Sequence, residues 1–437
     1  VLADNTAIIS FKTARYAKNG SELAGRHTTL VARKTGGAWK TVILIHHLPT
    51  PGYGQEPPAE AVRDEVAYRS NKGRNMDYGI GIPSYIDAWR EVKAAEEAGF
   101  THAWFYDSQL IYSDVYATMA LAAQNTNRIK LGTLVAIPSN RIAPVTASAI
   151  ATINKLAPGR VVLAMGTGYT GRNTMGLPQM SVKRLREYTQ QVQGLLRGED
   201  VLFTEGGKER WIRLVHADHA DFINIEDPIE VYLAANGPRA LQVVGEFSDG
   251  WVTTLRGRSD LSGDYATISG AAAKAGRSTA KPYTVALAFG CVLREGESLT
   301  SERVMARVGP SLLPGVHAQW EASYGPGANL GMQSESESGD AYEAYIQEYA
   351  STHGTPSDRL YLDVHRGHMV FLKPGEEQFV RQDVIARSLT GTGPEIIDKL
   401  EIMEAGGIDN VAISVPDIPG ARDLIEDFGR EVIAKRG

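Results

Sequence analysis

Apolar residues run along this chain in two rhythms. Over residues 1 to 47 they alternate with polar ones in three runs, Thr6 to Ala17, Arg26 to Lys34 and Ala38 to His47, separated by Asn19-Gly20 and Gly36-Gly37. Period-two patterning broken by glycine turns predicts an antiparallel β meander. Three strands alone leave one sheet face uncovered, so this segment is expected to pack on the main domain or on another subunit. Residues 48 to 74, rich in proline, glycine and charge, read as a linker to a main domain over 75 to 437.

From Met76 onward short apolar runs alternate with stretches of helical period. Strands are predicted at Asp77 to Ile82, His102 to Tyr106, Ile129 to Ala136, Arg160 to Met165, Ile229 to Ala234, Gly250 to Thr253 and Asn410 to Val415. Helices are predicted at Tyr85 to Ala98, Asp114 to Gln124, Ala143 to Leu156 and Ser181 to Leu196, from Pro238, from Leu261, and over Gly420 to Lys435. This alternation predicts a parallel sheet, and about eight such units fit a closed α/β architecture, a (β/α)₈ TIM barrel with insertions. The segments EEAGFTHAWFYD (96 to 107) and MEAGGIDNVAISV (403 to 415) repeat one design, a helix ended by glycine that enters a buried strand. Residues 297 to 358 are less regular, and GPGANLGMQSESESGD (325 to 340) reads as a solvated, mobile insertion, with a lid as the other reading.

Composition narrows the class. With 437 residues, 43% of them hydrophobic, the chain can bury a large core. Its net charge of -6 and its interspersed charges point away from nucleic acid. No apolar run approaches the roughly 18 residues of a membrane span. The opening VLADNTAII shows no charged-then-apolar leader, so a cytoplasmic protein is expected. The single cysteine, Cys291, lies in a strand-like run and reads as a buried structural thiol. His46 and His47 have no third ligand nearby, so no metal site is expected.

Two glycine turns carry the first hint of chemistry. In RVVLAMGTGYTGRNTMGLP (160 to 178) an apolar strand stops at Gly166-Thr167-Gly168, and in AANGPRA (234 to 240) another stops before a helix start. Bare backbone at the carboxyl ends of parallel strands suits a phosphate, and the pair suggests a grip from two sides. The plain alternative is two tight strand-to-helix connections. The segment LYLDVHRGHMVFL (360 to 372) reads as a strand with His365 and Arg366 on opposite faces; His365 and His368 are candidate proton-transfer groups, or packed polar residues. Asp107, after the second strand, reads as a polar site residue or a helix N-cap.

The order of these motifs resembles the bacterial luciferase-like monooxygenase superfamily, which also contains enzymes that use reduced deazaflavin coenzyme. The resemblance spans residues 76 to 435 and rests on EEAGFTHAWFYDS, on RIKLGTLVAIPSNRIAPVTASAIATINKLAPGRVVLAMGTG and on VYLAANGPRALQVVGEFSDGWV. It implies a flavin-type cofactor with its phosphate or ribityl chain beside Gly166, Thr167 and Gly168, and its phosphate on Ala235, Asn236, Gly237 and Arg239. It also implies a bulged or cis peptide under the flavin ring at Leu134 and Val135, continuing into Ala136. Tyr169 and Asn173 would hydrogen-bond the cofactor or face the substrate. Some deazaflavin-dependent relatives carry Asp-His where this chain has Asp107-Ser108, a departure. Residues 1 to 47 resemble the last strands of domains related to nuclear transport factor 2, through Gly37, Trp39, His46 and His47.

Three functions follow as expectations. The first is a two-component monooxygenase using reduced FMN and oxygen on a small organic substrate, with a separate flavin reductase as partner. The second is a deazaflavin-dependent oxidoreductase that transfers a hydride without oxygen; Lys183, Arg184 and Arg186 would offer a basic rim to that coenzyme's acidic tail. The third is a non-catalytic binding or assembly module. A homo-oligomer is expected in each case, and neither a nucleic acid nor a membrane is expected as a partner.

Overall fold

The computed structural model describes residues 6–16, 22–35 and 38–47 of an N-terminal unit, and residues 76–218, 222–255, 260–325, 337–416 and 418–436 of the main unit. In the first unit β1 (Thr6–Tyr16), β2 (Glu22–Thr35) and β3 (Ala38–His47) form an antiparallel sheet in that order, the meander that alternation predicts. The turn pairs and the linker lie outside the described residues.

In the main unit the alternation closes on itself. The strands are β4 (Asp77–Ile82), β5 (His102–Phe105), β6 (Lys130–Thr133), β7 (Val161–Met165), β8 (Val201–Glu205), β9 (Lys208–Ile212), β10 (Glu230–Ala234), β11 (Gly250–Thr253), β12 (Tyr283–Ala288), β13 (Gly290–Val292), β14 (Leu389–Gly391) and β15 (Asn410–Ser414). Eight of them form a closed parallel barrel in the order β10-β11-β12-β15-β4-β5-β6-β7, the TIM barrel expected. The remainder form two small pairs outside it, the antiparallel β8-β9 hairpin and the parallel β13-β14, which buries Cys291.

Two apolar layers hold the barrel. Outward strand residues such as Ile80, Phe105, Leu163 and Val411 pack under the helices, and Trp104, Val162, Tyr232, Val285 and Ala412 fill the interior. Trp104 decides one neighbour: a Cβ on Gly132 would lie 2.3 Å from its ring, so only glycine fits there. The polar members of the interior are paired. Trp104 Nε1 donates to Asn410 Oδ1 (3.2 Å), Asn410 meets His102 Nδ1 (3.0 Å), and the His102 ring stacks on Trp104. Glu96 of the EEAG motif accepts the backbone N–H groups of Asn127, Arg128 and Ile129, so the motif's acid ties the first helix to the entry of β6.

Two segments differ from expectation. Residues 297 to 358 are largely helical, with Glu302–Leu312, Pro314–Tyr324 and Glu337–His353, because Val304 and Val308, then Tyr342, Ile346 and Tyr349, recur at helical spacing and are buried. The polar tract 326–336 lies outside the described residues. The strand expected over 360 to 372 is instead a short helix, Leu360–Val364, ending in turns around Gly367. Leu360, Asp363 and Val364 are buried while Leu362 is 55% exposed, a helical pattern, since a strand would put 360, 362 and 364 on one face.

Candidate active site

Loops after the carboxyl ends of the barrel strands build one mouth. In the ring, the neighbours β7 and β10 stand opposite the neighbours β15 and β4, so the mouth has two facing sides.

On the first side, β7 runs into Gly166-Thr167-Gly168. A Cβ on Gly166 would lie 2.8 Å from Val135 Cγ2 and 3.3 Å from the Ala234 Cβ, so the turn is wedged between the loop after β6 and the end of β10. The peptide between Leu134 and Val135 is cis, as the resemblance implied. Ala136 is laced to β7, donating to Ala164 O (2.8 Å) and accepting from Gly166 N (3.1 Å). Gly168, with φ 79°, caps the short helix Tyr169–Asn173. Thr167 donates to Gln179 (2.9 Å), and Tyr169 is half-buried. Asn173 is buried, and its Oδ1 has no hydrogen-bond partner.

Next to this turn, Ala235 donates to Val252 O (3.1 Å), and Asn236 Oδ1 accepts weakly from Thr253 and Thr254 at 3.4 and 3.5 Å. Gly237 caps the helix Pro238–Phe247 without a side-chain hydrogen bond, and nothing lies within 4 Å of where its Cβ would be. An uncapped ten-residue helix with open space before it carries partial positive charge toward that space. Arg239 is exposed beside it. The tight Gly166 turn, the orphaned Asn173 oxygen and this open helix start fit a phosphate-bearing cofactor laid across the mouth.

The facing side is an apolar cavity of about 400 Å³. Pro83, Ser84 and Tyr85 line it after β4, Leu110 to Ser113 after β5, Thr174 beyond β7, and Ile418 after β15. The turns from His365 to Phe371 form its outer wall. Tyr112 fastens this wall by donating to His368 O (3.1 Å). Because 365 to 368 is a turn, both His365 and His368 border the cavity, which a strand would have prevented. His365 Nε2 donates to Oε1 of Glu321 at 2.8 Å; Glu321 is 3% exposed, and His365 Nδ1 has no partner. His368 is buried with its Nδ1 also unpartnered, and burial holds its pKa well below the ordinary histidine value.

A second polar group lies beneath. Glu376 accepts from Tyr342 (2.7 Å), pairs with Lys373 and meets His317 at 3.1 Å. Burial alone would raise the pKa of Glu376, but His317 and Lys373 hold it at about 2. His317 is pushed down to about 4, chiefly by burial. Glu321, Glu376, His317 and Lys373 escaped the sequence reading. Their signal was polar residues at helical spacing, His317 with Glu321 and Lys373 with Glu376, inside otherwise apolar segments.

Asp107 stands at the end of β5 and borders neither side directly. Its Oδ2 accepts the Ile137 N–H at 2.9 Å, tying β5 to the loop after β6, and burial raises its pKa. Of the basic rim, Arg186 is paired with Glu246 (2.6 Å) and Lys183 lies beside Glu187 (4.0 Å), both on helix surfaces. Arg184 lines a separate groove with Arg172, Met180 and Trp211, where Glu187 and Asp200 balance the charge. Among the described residues no group of three or more His, Cys, Asp or Glu side chains is placed to hold a metal ion, and no helix is long and apolar enough to cross a membrane.

Two glycine turns on one side of a barrel mouth and a small apolar cavity on the other give the layout of a TIM-barrel enzyme site. The chain belongs to the Luciferase-like monooxygenase family, whose sequence model matches residues 67–410, and it is an oxidoreductase. It is 27% identical over 366 residues to the 5,10-methylenetetrahydromethanopterin reductase of Archaeoglobus fulgidus, a match covering 82% of this chain and 99% of the relative. The enzyme of that name from Methanolobus tindarius is 32% identical over 207 residues, 46% of this chain and 61% of the relative, so this chain spans under two-thirds of that protein. An F420-dependent glucose-6-phosphate dehydrogenase from Nakamurella multipartita is 28% identical over 338 residues, 72% of this chain and 92% of the relative. Among solved structures, the coenzyme F420 dependent tetrahydromethanopterin reductase of Methanopyrus kandleri superposes with a TM-score of 0.57 at 20% identity, over 83% of this chain and 100% of its own. The FMN-bound oxygenating constituent of 3,6-diketocamphane monooxygenase from Pseudomonas putida superposes at 0.51 and 14%, over 83% and 99%. At these identities the superpositions show a shared fold.

Proposed function

We propose that this chain is a deazaflavin-dependent oxidoreductase that moves a hydride between its coenzyme and a small organic substrate without using oxygen. The observation that carries this reading is the alignment with nearly the whole of a methylenetetrahydromethanopterin reductase and of an F420-dependent dehydrogenase. A bound deazaflavin supplies a ring carbon that takes up or gives up a hydride.

The residues have consistent tasks. Gly166, Gly168 and the helix start at Gly237 would hold the phosphate end, and Asn173, whose oxygen has no partner in the protein, would meet the cofactor chain. Leu134, Val135 and Ala136 would pack against the ring. An alcohol that loses a hydride must also lose its hydroxyl proton. Glu321 orients the His365 ring through Nε2, and the ring's other nitrogen, Nδ1, has no partner in the protein and is the atom assigned to take this proton. Ser108 cannot serve as that base, so the helical insertion supplies it. His368, held neutral by burial, and Tyr169 stand as further polar contacts to the substrate.

FMN monooxygenation is the second reading, favoured by the FMN-bound monooxygenase of the same fold. Titration of the purified protein, followed by absorbance, separates the two. Micromolar binding of the deazaflavin coenzyme with much weaker binding of FMN supports the first reading. Tight FMN binding together with oxygen uptake by the reduced complex supports the second, and binding of neither removes both. For residues 1 to 47 we retain the likeness to a partial nuclear transport factor 2-like module and a role in homo-oligomer formation. Light scattering of the full chain tests the latter, and a monomer overturns it.

A further inference from the structure

The cavity under the His365–Phe371 wall has unequal surfaces. Leu110, Leu362 and Phe371 all border it and are 78%, 55% and 46% exposed, so large apolar side chains stand in solvent around one opening. Among the described residues no Asp or Glu lines it. Among the described residues Arg366 is its one Arg or Lys, and its guanidinium makes no hydrogen bond or ion pair there. The neighbouring Lys373 is buried and already paired with Glu376. His368, 5% exposed, adds an unpartnered Nδ1 in the wall. Among the described residues two of the three non-glycine residues with positive φ, Leu110 (70°) and Met369 (54°), hold the loops that shape this opening, and such conformations persist where the surroundings enforce them.

We propose that this cavity takes an amphipathic organic carboxylate, with its charged end on Arg366 and its apolar body against Leu110, Leu362 and Phe371. The inference deepens the hydride-transfer reading and rests on it, since the cavity is the substrate side of that mouth. A volume of about 400 Å³ is that of a small-molecule site. A planar guanidinium with no protein partner matches a two-oxygen anion. A neutral substrate of the same shape would leave it unpaired, and a cationic one would be repelled by it.

Phenylacetate and phenylacetamide, alike in shape and different in charge, test this by calorimetry and ligand-observed NMR on the full chain. The expectation is that phenylacetate binds roughly tenfold more tightly than the amide, and that Arg366→Gln abolishes the difference. Arg366 is exposed, so unchanged circular dichroism is expected to show that the variant folds. Equal binding of the two probes, an unchanged preference in Arg366→Gln, or no phenylacetate binding at about 10 mM overturns the proposal. Coenzyme titration of the same samples is the separate arm. Arg366 lines the cavity, whose lining includes neither Gly166 nor Gly237, so the variant is expected to bind deazaflavin as the parent does. Charge-selective binding without deazaflavin binding would overturn the hydride-transfer reading and keep the anion site.

Discussion

Glu321, on the helix Pro314–Tyr324, and His365, in the turn after Leu360–Val364, meet at 2.8 Å, so the proposed acid–base group exists only because the chain folds the two segments together. Replacing Glu321 with Ala leaves a buried imidazole N–H unpaired and is expected to cost about 1–3 kcal/mol, read as a lower urea midpoint, with Glu321→Gln restoring most of it. Equal stability of both variants would show that the contact holds nothing in place. Gly166 is the second test at this scale. In Gly166→Ala the new methyl lies within 2.8 Å of Val135 Cγ2, so the turn must open. The expected cost is about 1–3 kcal/mol of stability together with weaker coenzyme binding in an absorbance titration. Unchanged binding would remove the turn from the cofactor cradle. Both glycine turns were legible in the chain because bare backbone after an apolar strand is a local feature. Glu321 was not, since nothing within a few residues of it names a histidine forty-four positions away.

Elements were read well where their period was long and uninterrupted. The helix Ala143–Leu156 and the strand β11 fall where the pattern placed them. Asp114 precedes Val115–Asn125 and its Oδ1 accepts from Tyr116 and Ala117 N–H at 3.0 Å each, so Asp114→Ala is expected to lower stability by about 1 kcal/mol in urea unfolding. No change would mean that this helix start is held by packing alone. The run 360 to 372 was misread for a specific reason. Its apolar residues suit either period over so short a span, and only the burial of Asp363 beside Leu360 and Val364, with Leu362 left exposed, selects the helix. That choice brings His365 and His368 to one wall, where a strand would have put them on opposite faces.

At the scale of the whole molecule, buried imidazoles set an acid limit. Burial lowers the pKa of His102 to about 3 and of His317 to about 4, against an ordinary value of about 6.5. Below pH 6.5 or so the unfolded chain binds protons that the folded chain refuses, so stability is full above that pH and falls as pH drops toward 4 and below. The urea midpoint is expected to decline between about pH 6.5 and pH 4, less steeply in His102→Asn; a level midpoint over that range would contradict the burial argument. The alternation from Met76 onward determined the barrel, because every strand of a closed parallel barrel is buried on both faces and writes that into contiguous apolar runs. The glycine turns and family motifs likewise marked the place proposed for a cofactor phosphate. Tertiary structure alone decided what faces that cradle. Ring closure sets β15 and β4 opposite β7 and β10, and the folded insertion joins Glu321 to His365 and leaves Arg366 without a partner. Those relations join residues far apart in the chain, and local pattern carries no record of such distances.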